Sequence, residues 1–237
     1  IYVDAYRIQP SRIHIGLPCM REMLSELHAK SVAPKVEAAP PPSFLFYGSL
    51  QTVKGYKLII DASILLLESG QINDLKVFFI GPDRLCETHD ASCIVRKIPT
   101  RFRKHFAFKT QRISRDTLTY YKSLVRAAIF PSLFETFCIS AHEIYFLGFP
   151  LVISDIPAFR DYFTNDNSVV FRSGSVTSLR KGMEKVLNWK GEDYAKAVKN
   201  MKSIEYSSPL VVYSPESLKT VEEPGDGDIY ASQILNG

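Results

Sequence analysis

Two glutamates, Glu135 and Glu143, have the residue type and the spacing to hold one ligand at two points. They lie eight positions apart in the stretch PSLFETFCISAHE, which follows a short apolar run and is predicted to be helical from Thr136 onward. Because eight helical residues span about 12 Å, the two carboxylates could grip opposite ends of an elongated ligand. The alternative is that Glu135 caps the helix or interacts with its dipole, and that Glu143 is an ordinary surface residue.

Two further features could hold a phosphate. The backbone amides at the predicted helix start are free to donate to it; they belong to Thr136, Phe137 and Cys138. Lys54 lies near the end of the loop GSLQTVKG, where Gly48 would let a ligand approach the backbone after a strand. This loop is neither a Walker loop, because its second glycine follows the lysine, nor a Gly-x-Gly-x-x-Gly fingerprint. An ordinary turn is the alternative.

These residues lie between alternating strand-like and helix-like segments. Strands are predicted at 44–47, 75–80, 105–108, 127–130, 151–154 and 169–171, and helices at 55–69, 114–125, 136–147, 175–187 and 191–204. Apolar strands that alternate with amphipathic helices are typical of a parallel sheet covered on both faces. The predicted fold is therefore α/β, a doubly wound Rossmann-like domain, in which ligands bind at the carboxyl ends of the strands.

The chain has 237 residues, 46% hydrophobic and 23% charged, which excludes a disordered, collagen-like or disulfide-stapled miniprotein. Three segments are predicted: a lead-in over 1–43, an α/β domain over 44–204 and an acidic tail over 205–237. Within the lead-in, the pattern predicts a strand at 12–17, a helix at 20–30 and a proline-rich linker at 38–43. Because the first residue is Ile1 rather than methionine, we expect a fragment or a processed chain.

The net charge of +4 is distributed unevenly. Eight basic residues and no acidic residue lie between Ala91 and Arg115, whereas residues 201–237 contain two lysines and six acidic residues. The basic segment could bind nucleic acid, a phosphorylated ligand or an anionic membrane face. A solvated surface loop is the alternative interpretation.

The even number of cysteines could mean two disulfides, and their spacing does not suggest a metal site. Four are present, at Cys19, Cys86, Cys93 and Cys138, without a Cys-x-x-Cys pair or a histidine at a zinc-ligand spacing. A chain of this size can form its own core, so we expect reduced, mostly buried thiols in a cytoplasmic protein. His142 is expected to pack within its helix rather than to act in catalysis.

The order of these segments closely resembles the C-terminal, donor-binding domain of the retaining nucleotide-sugar glycosyltransferases of group 1 type. The resemblance covers about residues 44–199 and depends on FLFYGSLQTVKGYKLIID, LKVFFIGPD, TYYKSLVRAAIFPSLFETFCISAHE and GFPLVISDIPAFRDY. Its most specific element is the pair of glutamates after a Pro-Ser-x-x turn. That family has two facing Rossmann-like domains, the GT-B architecture. The resemblance implies one GT-B half, with the lead-in as a short remnant of a missing N-terminal acceptor domain.

The resemblance also implies roles for the matching residues. Glu135 would position the donor sugar and Lys54 would stabilise the diphosphate leaving group, and these two are the expected catalytic residues. Glu143 would bind the ribose hydroxyls of the nucleotide. The other expected substrate-binding residues are Gly48 and Ser49 in the first loop, Thr136, Phe137 and Cys138 as backbone donors, and Gln111, Arg112 and Ile113 beside the base.

Three positions depart from the family pattern. Ser49 stands where the family usually has arginine, so one positive charge is absent from the diphosphate site. Thr136 and Cys138 stand where the family usually has glycine, so their side chains are expected to crowd the site. A basic residue between Arg101 and Arg115 could replace the missing charge.

The implied activity is transfer of a sugar, with retention at its anomeric carbon, from a nucleoside-diphosphate sugar to a saccharide or lipid-linked acceptor. Cell-surface polysaccharide biosynthesis is the expected context, in the cytoplasm or peripherally at the inner membrane face. No metal and no cofactor beyond the nucleotide sugar is expected. One alternative is a nucleotide-sugar-binding module with weakened catalysis. The other, a nucleic-acid-binding protein that uses residues 91–115, lacks an accompanying RNA-binding aromatic motif.

Overall fold

The computed structural model describes residues 39–111, 113–160 and 162–200. A six-stranded parallel sheet forms the core of this part of the chain. The strands are β1 (Ser43–Tyr47), β2 (Lys76–Ile80), β3 (Phe106–Lys109), β4 (Ala127–Phe130), β5 (Leu151–Ser154) and β6 (Val169–Phe171). Their order is β3-β2-β1-β4-β5-β6, so the chain reverses its direction of winding between β1 and β4. This order confirms the predicted doubly wound sheet.

Helices connect the strands. They are α1 (Tyr56–Glu68), α2 (Ser92–Lys97), α3 (Arg115–Lys122), α4 (Ile139–Phe146), α5 (Pro157–Arg160), α6 (Val176–Leu187) and α7 (Gly191–Asn200). Short 3-10 helices cover Thr52–Lys54 and Thr100–His105. The predicted caps are confirmed, because Ser114 accepts a hydrogen bond from the amide of Thr117 and Ser175 accepts one from Ser178.

Both faces of the sheet are buried, as the unbroken apolar strands predict. Phe44 and Phe46 of β1 belong to one cluster with Ile59 of α1 and Met183 of α6. Leu45 lies between the two phenylalanines and is also fully buried, on the opposite face. A sheet covered on both sides leaves only its strand ends open to a ligand.

The basic segment is folded rather than a loop, while its described basic side chains are exposed to solvent, as the surface interpretation predicted. It contains α2, the second 3-10 helix and β3. Ile94, Ile98 and Phe102 recur every four residues and are buried, which holds the basic side chains between them at the surface. The expectation of reduced thiols is also wrong for one pair, because a disulfide joins Cys86 to Cys93. Cys138 is free and half-buried.

Several predictions lie outside the described residues. These are the strand at 12–17, the helix at 20–30, Cys19, the end of the last helix at 201–204 and the tail at 205–237. Of the predicted linker, residues 39–42 have no regular structure and Ser43 already belongs to β1. No helix in the described ranges has both the length and the hydropathy that a membrane span requires.

Candidate functional site

A cavity of about 170 Å³ opens at the carboxyl ends of β1 and β4, where the winding of the sheet reverses. Ligands of doubly wound sheets bind at this point because the loops after the two strands turn away in opposite directions. Here they are the β1 loop (residues 48–55) and the β4 loop (residues 131–138). The cavity is lined by Phe46, Tyr47, Gly48, Ser49, Lys54, Phe130, Ser132, Glu135, Cys138 and Ser140.

An ion pair between the two loops lies in this cavity. The Nζ atom of Lys54 is 2.7 Å from both carboxylate oxygens of Glu135. Ser132 donates a hydrogen bond of 2.8 Å to Oε1 of the same carboxylate. The Glu135 side chain is only 7% exposed and that of Lys54 is 28% exposed, so the pair is screened from bulk water while the ammonium remains accessible.

Close backbone contacts fix the separation of the two loops. The amide of Leu133 donates to the carbonyl of Val53 at 2.8 Å, which joins the residues next to Lys54 and Ser132. Gly55 has a φ of 73°, and a Cβ at this position would lie 2.1 Å from the carbonyl oxygen of Pro131. Only glycine allows this approach, so the geometry of the ion pair depends on Gly55.

The predicted helix start at Thr136 is wrong, because α4 begins at Ile139. Cys138 has a φ of 62°, and a residue in this left-handed conformation cannot lie inside a right-handed helix that runs from Thr136. Glu135 is therefore not the cap of α4, a position that Cys138 occupies. Thr136 is exposed, and Phe137 stacks on His142 with ring centroids 4.2 Å apart.

Part of the predicted set lies away from the cavity. Glu143 is half-buried on α4 and is not among the cavity-lining residues. Gln111 is exposed beyond β3, Ile113 is half-buried, and neither lines the cavity. Arg112 lies outside the described residues. The cavity thus brings together Gly48, Ser49, Lys54, Glu135 and Cys138 from the predicted set.

Two basic side chains that could replace the missing charge beside Ser49 have partners elsewhere. Arg101 forms an ion pair of 2.8 Å with Glu68, and Arg103 donates to the carbonyls of Ile98 and Arg96. Neither lines the cavity. Lys54 is therefore the one cationic side chain in the cavity lining, within the part of the chain that the structure describes.

Burial keeps two titratable groups near the site neutral at pH 7. Burial raises the pKa of the Cys138 thiol to about 12, and the nearby Glu135 carboxylate raises it too. Burial lowers the pKa of His142 to about 4. His142 is enclosed by Phe137, Tyr162 and Phe163, so the prediction that it packs within the fold is confirmed.

The loop after β2 (residues 81–91, the β2 loop) contains a second buried carboxylate. Asp83 accepts hydrogen bonds from the amides of Leu85, Cys86 and Ala91 at 2.8 to 3.2 Å. Asp83, Cys86 and Cys93 form a group with metal-ligating atoms close together. The two sulphurs are joined in a disulfide and the carboxylate is hydrogen-bonded by amides, so this group is structural.

Ser132 is a site residue that the sequence did not predict. The available signal was a polar residue directly after a buried strand, beside a loop already suspected of binding a ligand. Phe46, Tyr47 and Phe130 were predicted only as strand residues, and they line the cavity because the strands end there. Ser140, in the first turn of α4, also escaped notice because the helix start was misplaced.

Known proteins share this fold. Residues 30–204 match the family model described as Glycosyl transferases group 1. No curated protein matches the sequence. Among solved structures, WaaG, a glycosyltransferase involved in lipopolysaccharide biosynthesis, is similar with a TM-score of 0.63 and 19% identity, over 94% of this chain and 60% of its own.

Two further structures are similar. The C-terminal domain of LpcC, a glycosyl transferase group 1 family protein from Francisella tularensis, has a TM-score of 0.56 and 12% identity, over 69% of this chain and 83% of that domain. HepE from Anabaena, solved in complex with UDP, has a TM-score of 0.56 and 16% identity, over 77% of this chain and 47% of its own. The chain thus spans less than two thirds of WaaG and of HepE, and the similarities confirm one Rossmann-like half of the GT-B fold.

Proposed function

The chain belongs to the glycosyl transferases group 1 family, and from this we propose that it supplies the donor site of a retaining glycosyltransferase. In this proposal the cavity between β1 and β4 binds a nucleoside-diphosphate sugar, whose sugar is transferred to a saccharide or lipid-linked acceptor. The observation that carries the proposal is the Lys54–Glu135 pair, which the fold brings together at the winding reversal from positions 81 residues apart in sequence.

The two charged groups suit two parts of such a donor. Sugar transfer requires departure of a nucleoside diphosphate while positive charge grows on the sugar ring. A lysine at the diphosphate stabilises the departing negative charge, and its effect is strengthened in a site screened from water. A carboxylate accepts hydrogen bonds from sugar hydroxyls and fixes the ring against the leaving group.

Lys54 can perform its part without leaving Glu135. An ammonium has three N–H donors. Two oxygens of Glu135 lie within hydrogen-bond distance of Nζ, which leaves a further donor for a phosphate oxygen. We assign leaving-group stabilisation to this residue rather than to a metal ion. Transfer in the presence of a chelator would test that assignment, and loss of transfer would contradict it.

Binding of nucleoside diphosphates tests the donor site directly. We propose calorimetric titration of the chain with UDP, GDP and ADP, since HepE holds UDP. Lys54→Ala should weaken the best ligand by about tenfold or more, because a charge-assisted contact to phosphate is lost. Lys57→Ala is the matched control: Lys57 is 74% exposed and pairs with Asp61 on the surface of α1, so its loss should change the affinity less than twofold. Equal affinities for wild type and Lys54→Ala would contradict the proposal.

One observation favours a second candidate, a nucleotide-sugar-binding module with weakened catalysis. The Cys138 side chain lines the donor cavity from a left-handed backbone, where the resembling family usually has glycine. A sulphur atom here reduces the room for the donor. Binding of a nucleotide sugar without transfer by the intact protein would support this candidate, and transfer at rates typical of enzymes would exclude it.

A further inference from the structure

We infer that Ser132 is a positioning residue, which occupies Oε1 of Glu135 and thereby reserves Oε2 for a hydroxyl of the donor sugar. The inference rests on the proposed function and deepens it, because it assigns the sugar contact to one oxygen atom. Its starting point is the unequal surroundings of the two carboxylate oxygens in the Lys54–Glu135 pair.

A carboxylate oxygen accepts about two hydrogen bonds. Oε1 of Glu135 receives Nζ of Lys54 at 2.7 Å and the hydroxyl of Ser132 at 2.8 Å, so both of its acceptor positions are filled. Oε2 receives Nζ of Lys54 at 2.7 Å. Among the described residues no second donor reaches Oε2, so one acceptor position is open there to a ligand hydroxyl. Without Ser132 the two oxygens would be equivalent, and the carboxylate could turn about its last bond while it kept the lysine.

Ser132 is itself held firmly. It is only 2% exposed, and its carbonyl accepts hydrogen bonds from the hydroxyl of Ser154 at 2.7 Å and from that of Ser173 at 3.4 Å. Ser154 is the last residue of β5 and is fully buried, and Ser173 follows β6. Three serines at the ends of β4, β5 and β6 thus fix the backbone from which the Glu135 contact is made. Because this backbone is fixed, the Ser132 hydroxyl is held where it donates to Oε1 of Glu135.

The test is the affinity that the sugar adds to the nucleoside diphosphate. Titrations with UDP and UDP-glucose, and with GDP and GDP-mannose, give this increment for each pair. Ser132→Ala should leave the nucleoside diphosphate affinity within twofold and reduce the increment by about tenfold, the value of one hydrogen bond to a charged acceptor. Ser132→Thr, which keeps the hydroxyl, should restore most of the increment. Ser123→Ala, an exposed serine that donates to the carbonyl of Tyr120, is the matched control and should change neither affinity.

The outcomes separate this inference from the proposed function. Wild-type protein that binds no nucleoside diphosphate would overturn the proposed function, and the inference with it. The inference alone would be overturned if the wild-type protein binds both ligands and Ser132→Ala weakens both by the same factor. An unchanged affinity of Ser132→Ala for both ligands would also overturn it. If Ser132→Ala does not fold, Ser154→Ala replaces it. That variant loosens the Ser132 backbone and keeps its hydroxyl, so a smaller loss confined to the increment is expected, and no loss would contradict the inference.

A ligand-free measurement checks the contact itself. If Ser132 and Glu135 interact as described, the thermal shifts of Ser132→Ala and Glu135→Ala should not add. The melting temperature of the double variant should then lie about 3 °C above the value obtained by adding the two single shifts. A contact of this strength corresponds to a few degrees in a domain of this size. Additive shifts would show that the hydroxyl does not act on the carboxylate.

Discussion

The β2 loop and the β4 loop both follow the carboxyl ends of their strands, and each contains a buried carboxylate with a different role. In the β2 loop, Asp83 accepts hydrogen bonds from three amides of its own loop, which a disulfide closes further. In the β4 loop, Glu135 contacts Lys54 of a neighbouring loop and faces a cavity. The comparison shows that a carboxylate at a strand end is structural when it is buried and is bound by amides of its own loop. It is a candidate ligand group when an acceptor position faces open space.

The largest effect is expected in the β2 loop. Asp83→Ala would leave three amides without their acceptor, two of them buried, and should lower the free energy of unfolding by about 4 kcal/mol. Urea denaturation measures this loss. Asp90→Ala is the control, because Asp90 is exposed in the same loop, and a much smaller change is expected. If Asp83→Ala left the free energy of unfolding unchanged but abolished nucleotide binding, the roles assigned to the two loops would be reversed.

The next effect tests how closely the β1 and β4 loops are packed. Gly55→Ala must place a Cβ against the carbonyl of Pro131 in a left-handed conformation, so we expect a loss of about 3 kcal/mol. Gly70→Ala has a nearly identical φ of 71° with no atom within 4 Å of the added Cβ, and it should cost only about 1 kcal/mol. Denaturation of both variants separates backbone strain from the clash. Equal losses would mean that the loop contact is loose.

Acidification should lower the free energy of unfolding because His142, which packs against Phe137 of the β4 loop, is buried in its neutral form. The pKa of His142 is about 4 in the folded protein because burial disfavours its charged form, and about 6.5 when unfolded. The unfolded chain therefore binds more protons in this interval, and stability that is present above pH 6.5 is lost as the pH falls toward 4. From pH 7 to 5 the loss should be about 2 kcal/mol.

The control for this acid effect is His142→Phe, which keeps a ring against Phe137 and cannot titrate. Urea denaturation at several pH values gives the slope of the unfolding free energy against pH. Between pH 7 and 5 the variant should lose about 2 kcal/mol less than wild type, so its slope should be smaller. Identical slopes would contradict the neutral state of the buried imidazole.

The smallest expected effect compares two residues with a left-handed backbone conformation, Ala91 at the end of the β2 loop and Cys138 at the end of the β4 loop. Cys138 and Ala91 have φ values of 62° and 63°, so glycine at either position should raise the free energy of unfolding by about 1 kcal/mol. Only Cys138→Gly removes a side chain from the cavity, and it alone should strengthen nucleotide-sugar binding, by about threefold. Thermal unfolding and calorimetry measure the two properties. Equal effects of both variants on binding would contradict the assignment of the cavity.

The fold could be predicted largely because buried parallel strands are unbroken apolar runs. The bounds of β4, β5 and β6 agree with the prediction for this reason. The helix α2 was missed because it is short and Ile94 is its one buried residue, with the basic residues Arg96 and Lys97 in its last turn. The Cys86–Cys93 disulfide was missed because a spacing of seven matches no common motif.

The site was predictable in its residue types and not in its geometry. The contact between Lys54 and Glu135 depends on parallel register and winding order, which a local pattern does not contain. The start of α4 was misplaced because Thr136 and Phe137 are compatible with a helix, and only the backbone of Cys138 excludes it. Whether Glu143 and residues 111–113 contact the nucleotide stays a prediction.

The central claim is that the cavity between Lys54 and Glu135 is the donor site, and a crystal structure with the best-binding nucleotide sugar tests it most directly. We predict that the diphosphate lies within hydrogen-bond distance of Nζ of Lys54, and that a sugar hydroxyl donates to Oε2 of Glu135. A second cavity, of about 230 Å³, lies beside Trp189 at the amino ends of β5 and β6. Ligand density there, or in the β2 loop, would contradict this claim.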